Sequence, residues 1–209
     1  MKLNIEGHPG TGNRYEEAHM GRVTNYNPNA SHVTNHIHMS PAEHRLARWF
    51  RSLQEEFRSD TRLQHRLDSI RRYRTRLPKA IGLEAKLTDG GFRPSDIASA
   101  RRSQLAFSKK STRYQYFESA QRIDGYLFAK VSHLFDTYVM PLIRRDSPLD
   151  TVRQAVYEQV ITPVLEEVNT HGADDSCLCY DEDDLYGMLY YLTGNCHINW
   201  TDYDVHPRL

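Results

Sequence analysis

No stretch of the 209 residues approaches the roughly 20 consecutive apolar residues that a membrane-spanning helix needs. The N-terminal MKLNIEGHPG lacks the apolar core of a secretory signal. Both absences point to a cytoplasmic protein with no membrane role. Cysteine is scarce, and three is an odd count, which speaks against a disulfide framework. There is no G-x-S-x-G, no H-E-x-x-H and no obvious pairing of nucleophile and base. The sequence therefore offers no catalytic residue and no cofactor motif, and an enzyme is not expected.

Net charge is also lacking, but only in the sum. Residues 1–42 carry 3 basic and 3 acidic side chains. Residues 43–113 carry 18 basic against 8 acidic, a balance of +10, and residues 114–209 carry 6 against 16, a balance of −10. Such asymmetry suits a nucleic-acid face or a charged partner. It equally suits two halves that neutralise each other within one chain or across a homo-oligomer.

Near the N-terminus, Gly7 to Gly12 begins like a phosphate-binding loop, but Asn13 and Arg14 replace its Lys and Ser/Thr. A glycine-rich turn accounts for it better. Val23-Thr24-Asn25 recurs as Val33-Thr34-Asn35 around Asn27-Pro28-Asn29, which reads as a β-hairpin. His36 and His38 share one face of its second strand, where a metal or a plain polar surface are the alternatives. Residues 1–39 thus form a hairpin arm, and 40–209 a helical domain.

Ser40-Pro41-Ala42-Glu43 has the form of a capping box with proline at the first helical position. The helix it opens carries Leu46, Trp49, Phe50, Leu53 and Phe57. After Ser59-Asp60-Thr61 the pattern resumes through Leu63, Leu67, Ile70 and Leu77 until Pro78. Its polar side is Arg62, Arg66, Arg71, Arg72, Arg74 and Arg76, a candidate phosphate-binding face, a solvated face, or a match for the acidic half. Further helices are expected from Pro94 to about Lys109, from about Thr112 to Ile143, and from Ser147-Pro148 to His171, with Pro141 and Pro163 bending the last two.

The chain is organised around its last dense apolar stretch, Asp181–Trp200. Asp181 suits an N-cap, and Glu182, Asp183 and Asp184 suit the positive end of the helix dipole. Leu185, Met188, Leu189 and Leu192 recur at helical spacing, flanked by Tyr190 and Tyr191. Gly194 stands where a left-handed residue ends a helix. Cys196, Ile198 and Trp200 then alternate as on a short strand. The stretch reads as a docking element, with Leu185, Met188, Leu189, Tyr190, Tyr191, Leu192, Ile198 and Trp200 meeting a partner. Cys177, Cys179, Cys196 and His197 are a candidate zinc set, although C-x-C is not the usual knuckle spacing. The sum is a mainly α protein of about five to six helices, with an N-terminal β-hairpin and a short strand-like C-terminal segment.

Tyr116-Phe117-Glu118-Ser119-Ala120-Gln121-Arg122-Ile123, Tyr138–Pro141, Ile161–Leu165 and above all Gly187–Trp200 place residues 114–200 in a resemblance. This segment resembles the C-terminal domain of ABC-three-component systems, the bacterial defence group that includes Lamassu. The resemblance implies a partner ATPase of SMC or ABC type, an effector subunit, and DNA reached through the complex. Residues 1–113 hold no motif of a nuclease, protease or hydrolase effector, so an accessory or adaptor subunit is expected. The alternative is a free-standing nucleic-acid-binding protein that uses the arginine-rich helix.

Overall fold

The computed structural model describes residues 41–74, 81–195 and 197–204. The chain divides after His38, and every described residue lies in the second unit, Met39–Leu209. The hairpin with His36 and His38, the glycine-rich turn, Arg76, Pro78 and Cys196 lie outside the described residues.

Seven helices make up the ordered framework among those residues. They are α1 (Pro41–Arg58), α2 (Asp68–Arg74), α3 (Leu83–Asp89), α4 (Pro94–Arg113), α5 (118–143), α6 (149–171) and α7 (Glu182–Gly194). The mainly helical expectation holds, and no strand occurs among the described residues. The strand expected at 196–200 is therefore corrected. Residues 197–200 run as bends with no ladder partner, yet Ile198 and Trp200 are buried while His197 and Asn199 are half-buried. Alternating burial survives without a sheet because the core lies on one side of an irregular segment.

α5 is the central element. Ile123, Leu127, Phe128, Val131, Phe135 and Val139 are completely buried along it, and each such side chain contributes roughly 1.5–3 kcal/mol of hydrophobic stabilisation. α1 packs on α5 through its Leu46, Phe50 and Leu53 stripe, while α7 covers another side and α4 lies along α7. The boundary expected between about Lys109 and Thr112 lies four residues later, α4 running on to Arg113 and the long helix opening only at Glu118. Residues 114–117 separate the two, and Phe117 takes an extended conformation (φ −86°, ψ 128°) that opens α5. The new N-terminus is capped from outside, since Glu56 of α1 accepts hydrogen bonds from Ser119 N (3.1 Å) and Ser119 Oγ (2.6 Å).

Both expected bends take one form. In α5, residues Phe135–Val139 widen into a π turn two residues before Pro141, and Met140 N–H donates to the Phe135 carbonyl. In α6, Tyr157–Ile161 does the same before Pro163, with Thr162 N–H donating to Tyr157. A proline lacks the amide that closes the previous turn and its ring crowds the carbonyl four residues back. A wide i→i−5 turn relieves both. The two π turns pack on each other.

The first part of the arginine-rich helix expected from Arg62 is absent. Asp60 adopts a left-handed conformation (φ 51°) that ends α1, residues 61–67 are irregular, and only Asp68–Arg74 is helical. The chain here is instead tied to the turn before α5 and to α5 itself, with Leu63 N donating to Tyr116 O (2.7 Å) and Leu67 N to Gln121 Oε1 (2.6 Å). α3 goes unforeseen because seven residues are too few to reveal a period. The expected caps at Ser147 and Gly194 also differ: Pro148 occupies the cap position of α6, and Gly194 is the last helical residue of α7, followed by Asn195 at φ −97°.

Candidate partner-binding site

α7 forms as its sequence dictates. Asp181 and Asp184 build a reciprocal capping box, with Asp184 N donating to Asp181 Oδ1 (2.9 Å) and Asp181 N to Asp184 Oδ2 (3.3 Å). Asp184 also pairs with Lys110 of α4. Burial pushes its carboxyl up from the ordinary value even so, with the Lys110 hydrogen bond and charge pulling the other way.

Leu185, Met188, Leu189 and Leu192 are fully buried, and Ile198 and Trp200 nearly so. Their neighbours belong to this chain. Trp200 donates from Nε1 to Thr193 Oγ1 (3.1 Å) and meets the rings of Phe92 and Phe135 edge to face, with centroids 4.9 and 5.2 Å apart. Tyr191 is half-buried and stacks on Phe128 (5.7 Å). Gly187 permits this seam: a Cβ there would lie 2.5 Å from the Ser103 carbonyl oxygen and 2.7 Å from Phe107 Cβ. The apolar stretch thus docks α7 onto α4 and α5 of its own molecule. Tyr190, half-buried, is where the stretch reaches the surface.

At that point α4, α6 and α7 enclose a cleft of about 230 Å³, whose walls include Phe92, Asp96, Arg153, Asp183, Tyr186 and Tyr190. Tyr186 and Tyr190 stack (6.3 Å, 24°), and Tyr190 stacks in turn on Trp200 (6.5 Å). Asp96 draws in two arginines, Arg93 (3.2 Å) and Arg153 (3.5 Å). The Arg93 hydrogen bond holds its carboxyl below the ordinary value. The Arg153 guanidinium also lies over the Phe92 ring at 5.8 Å. Burial pushes the Tyr190 phenol up to about 12 and raises that of Tyr186, with Glu182 adding to the effect. Both therefore stay neutral hydroxyls near pH 7. Ser103 Oγ faces the Ser99 carbonyl (3.4 Å) rather than a base. Aromatic faces, hydroxyls and carboxylates equip this cleft for recognition. Tyr186 and Tyr190 share a helical face in the sequence, a legible signal, but Asp96 and Arg153 lie 57 residues apart and only the fold joins them.

Four of the candidate arginines, Arg62, Arg66, Arg71 and Arg72, have partners within the chain. Arg62 pairs with Asp60 (2.7 Å) and lies over Phe117. Arg66 donates to Gln115. Arg71 pairs with Asp68 (3.3 Å), and Arg72 donates to the Tyr73 hydroxyl (2.7 Å). Arg74 ends α2. Of the proposed zinc set, Cys179 is exposed and Cys177 half-buried. The backbone amides of both are held by the Asp175 carboxylate (2.8–2.9 Å). His197 is turned to the Arg72 carbonyl (Nε2···O 3.1 Å) and to the Tyr73 ring. Among the described residues no group of three or more His, Cys, Asp or Glu is placed to hold a metal ion, and no helix is long and apolar enough to cross a membrane.

No curated protein and no solved structure matches the chain. The family model of C-terminal domain 9 of the ABC-three component systems matches residues 82–200, which is 119 of 209 residues. The match ends on Trp200 and begins at α3, earlier than the 114–200 suggested by sequence motifs. The packing explains the difference, because α4 forms the other half of the α7 seam. The chain belongs to the family of C-terminal domain 9 of the ABC-three component systems.

Proposed function

We propose that this chain is a non-enzymatic assembly subunit of a bacterial antiphage complex, holding an SMC- or ABC-type ATPase and an effector subunit together. The observation that carries the reading is the family match over 82–200. The fold supports it in a second way. The apolar residues of the docking stretch complete this domain's own core, so the partner meets the surface they hold in place: the outer faces of α4 and α7 and the cleft between them. A Lamassu-like arrangement in the cytoplasm is the specific form proposed, with DNA engaged by the complex.

The test is recovery of the tagged chain from its native host, with and without nuclease, followed by mass spectrometry. A large coiled-coil ATPase that stays bound after nuclease treatment is the expected result. Recovery of nucleic acid and its usual companions alone would replace this reading with a free-standing nucleic-acid-binding protein.

A further inference from the structure

We infer that the cleft between α4, α6 and α7 receives an arginine or lysine side chain from an extended segment of a partner protein. This deepens the assembly reading and rests on it for the existence of the partner. Its chemistry comes from the cleft alone.

The charge around the cleft is negative. Asp96, Asp150, Glu182 and Asp183 stand there against Arg93 and Arg153, four acids to two cations. Both arginines are already committed to Asp96, and Arg153 also lies against Phe92. Asp96 neutralises one of these two cations, and Asp150, Glu182 and Asp183 outweigh the other. Glu182 and Asp183 have no ion pair among the described residues. They stand beside Tyr186, the outer member of the aromatic stack that runs through Tyr190 to Trp200. Phenol rings that stay un-ionised near pH 7 offer their negative π faces to a cation. A guanidinium or ammonium entering here meets a carboxylate at its head and aromatic rings along its stem. Arg and Lys carry such a stem. The volume, about 230 Å³, is below the roughly 300–1,000 Å³ of small-molecule sites. It suits one long side chain delivered by a peptide better than a free cofactor.

The experiment uses the full chain with Trp49→Phe, which leaves Trp200 as the single tryptophan reporter. The probe is a short capped peptide of alternating arginine and serine, followed by Trp200 fluorescence and by calorimetry. The control peptide replaces each arginine with glutamate. Saturable binding of the arginine peptide alone is expected. Asp183→Lys should weaken it about tenfold or more, and the milder Asp183→Asn about threefold. Glu166→Lys, an equal charge change at an exposed site on α6, should leave it within about twofold. Circular dichroism establishes that each variant is folded. Absence of saturable binding, equal binding of the glutamate peptide, or equal weakening by Glu166→Lys would overturn the proposal. So would a self-associated chain, by light scattering, that Asp183→Lys makes monomeric, because the cleft would then serve a second copy. Loss of peptide binding with recovery of protein partners from the host would remove the cleft and leave the assembly reading standing.

Discussion

A single methyl group tests the α4–α7 seam. In Gly187→Ala the new Cβ would stand 2.5 Å from the Ser103 carbonyl oxygen, a backbone atom that cannot swing aside. The helices must separate, and overpacking of this kind costs about 1–3 kcal/mol. Alanine's better helix propensity returns no more than about 1 kcal/mol. The thermal midpoint of the variant should therefore fall by several degrees, and an unchanged or raised midpoint would show that the seam is loose. The same logic limits what Trp200 can reveal. Truncating a side chain that is 5% exposed costs about 3–5 kcal/mol, so Trp200→Ala reports on folding before it reports on docking. At this scale much was legible from sequence. Asp181 caps α7 as its type and place require, and Leu185, Met188, Leu189 and Leu192 fill one face at helical spacing. Burial was legible there, but what covers it was not. An apolar stripe has the same pattern whether its own chain or a partner completes it.

The elements show a different limit. Helices α1, α4, α6 and α7 announce themselves by proline, capping acids and periodicity, and so does a boundary between α4 and α5, but about four residues too early: α4 runs on to Arg113 and α5 opens at Glu118. The stripe through Phe117 and Ala120 keeps helical spacing across the break, and the interruption is stabilised by Glu56, a residue 63 positions from the Ser119 it holds. Removing that external cap should be felt at one helix end. Glu56→Ala is expected to cost about 0.5–2 kcal/mol, with faster amide exchange confined to the first turn of α5. A variant as stable as wild type would mean that water replaces the carboxylate without loss. Pro141 and Pro163 gave the location of the irregularities, and the π turns gave their form, because i→i−5 pairing is a property of the packed backbone and leaves no composition signal. The arginine-rich segment is helical only from Asp68 to Arg74, and its first part is irregular for a related reason. Arg62, Arg71 and Arg72 find local partners in Asp60, Asp68 and Tyr73, Arg66 reaches Gln115, and the backbone of Leu63 and Leu67 bonds to Tyr116 and Gln121 instead of to its own next turn.

For the whole molecule, the opposite charges of 43–113 and 114–209 are partly matched inside the fold. Lys110 of the basic segment meets Asp184 of the acidic one, whereas Asp96 pairs with Arg93 of its own segment and with Arg153, a base of the acidic segment. A remainder faces outward, with Arg101 and Arg102 exposed on α4 and Glu182 and Asp183 exposed on α7. Among the described residues, α1 and α2 share one core with the helices of 82–200, so the account's central claim concerns that surface: the folded chain engages another protein through the α4–α6–α7 face. Hydrogen exchange by mass spectrometry, comparing the free chain with the complex recovered from the host, tests this most directly. The account predicts slower exchange over the segments that line the cleft, 92–103, 150–160 and 182–190, with α1 unchanged. Slowing confined to 62–74, reproduced by adding DNA to the free chain, would contradict it.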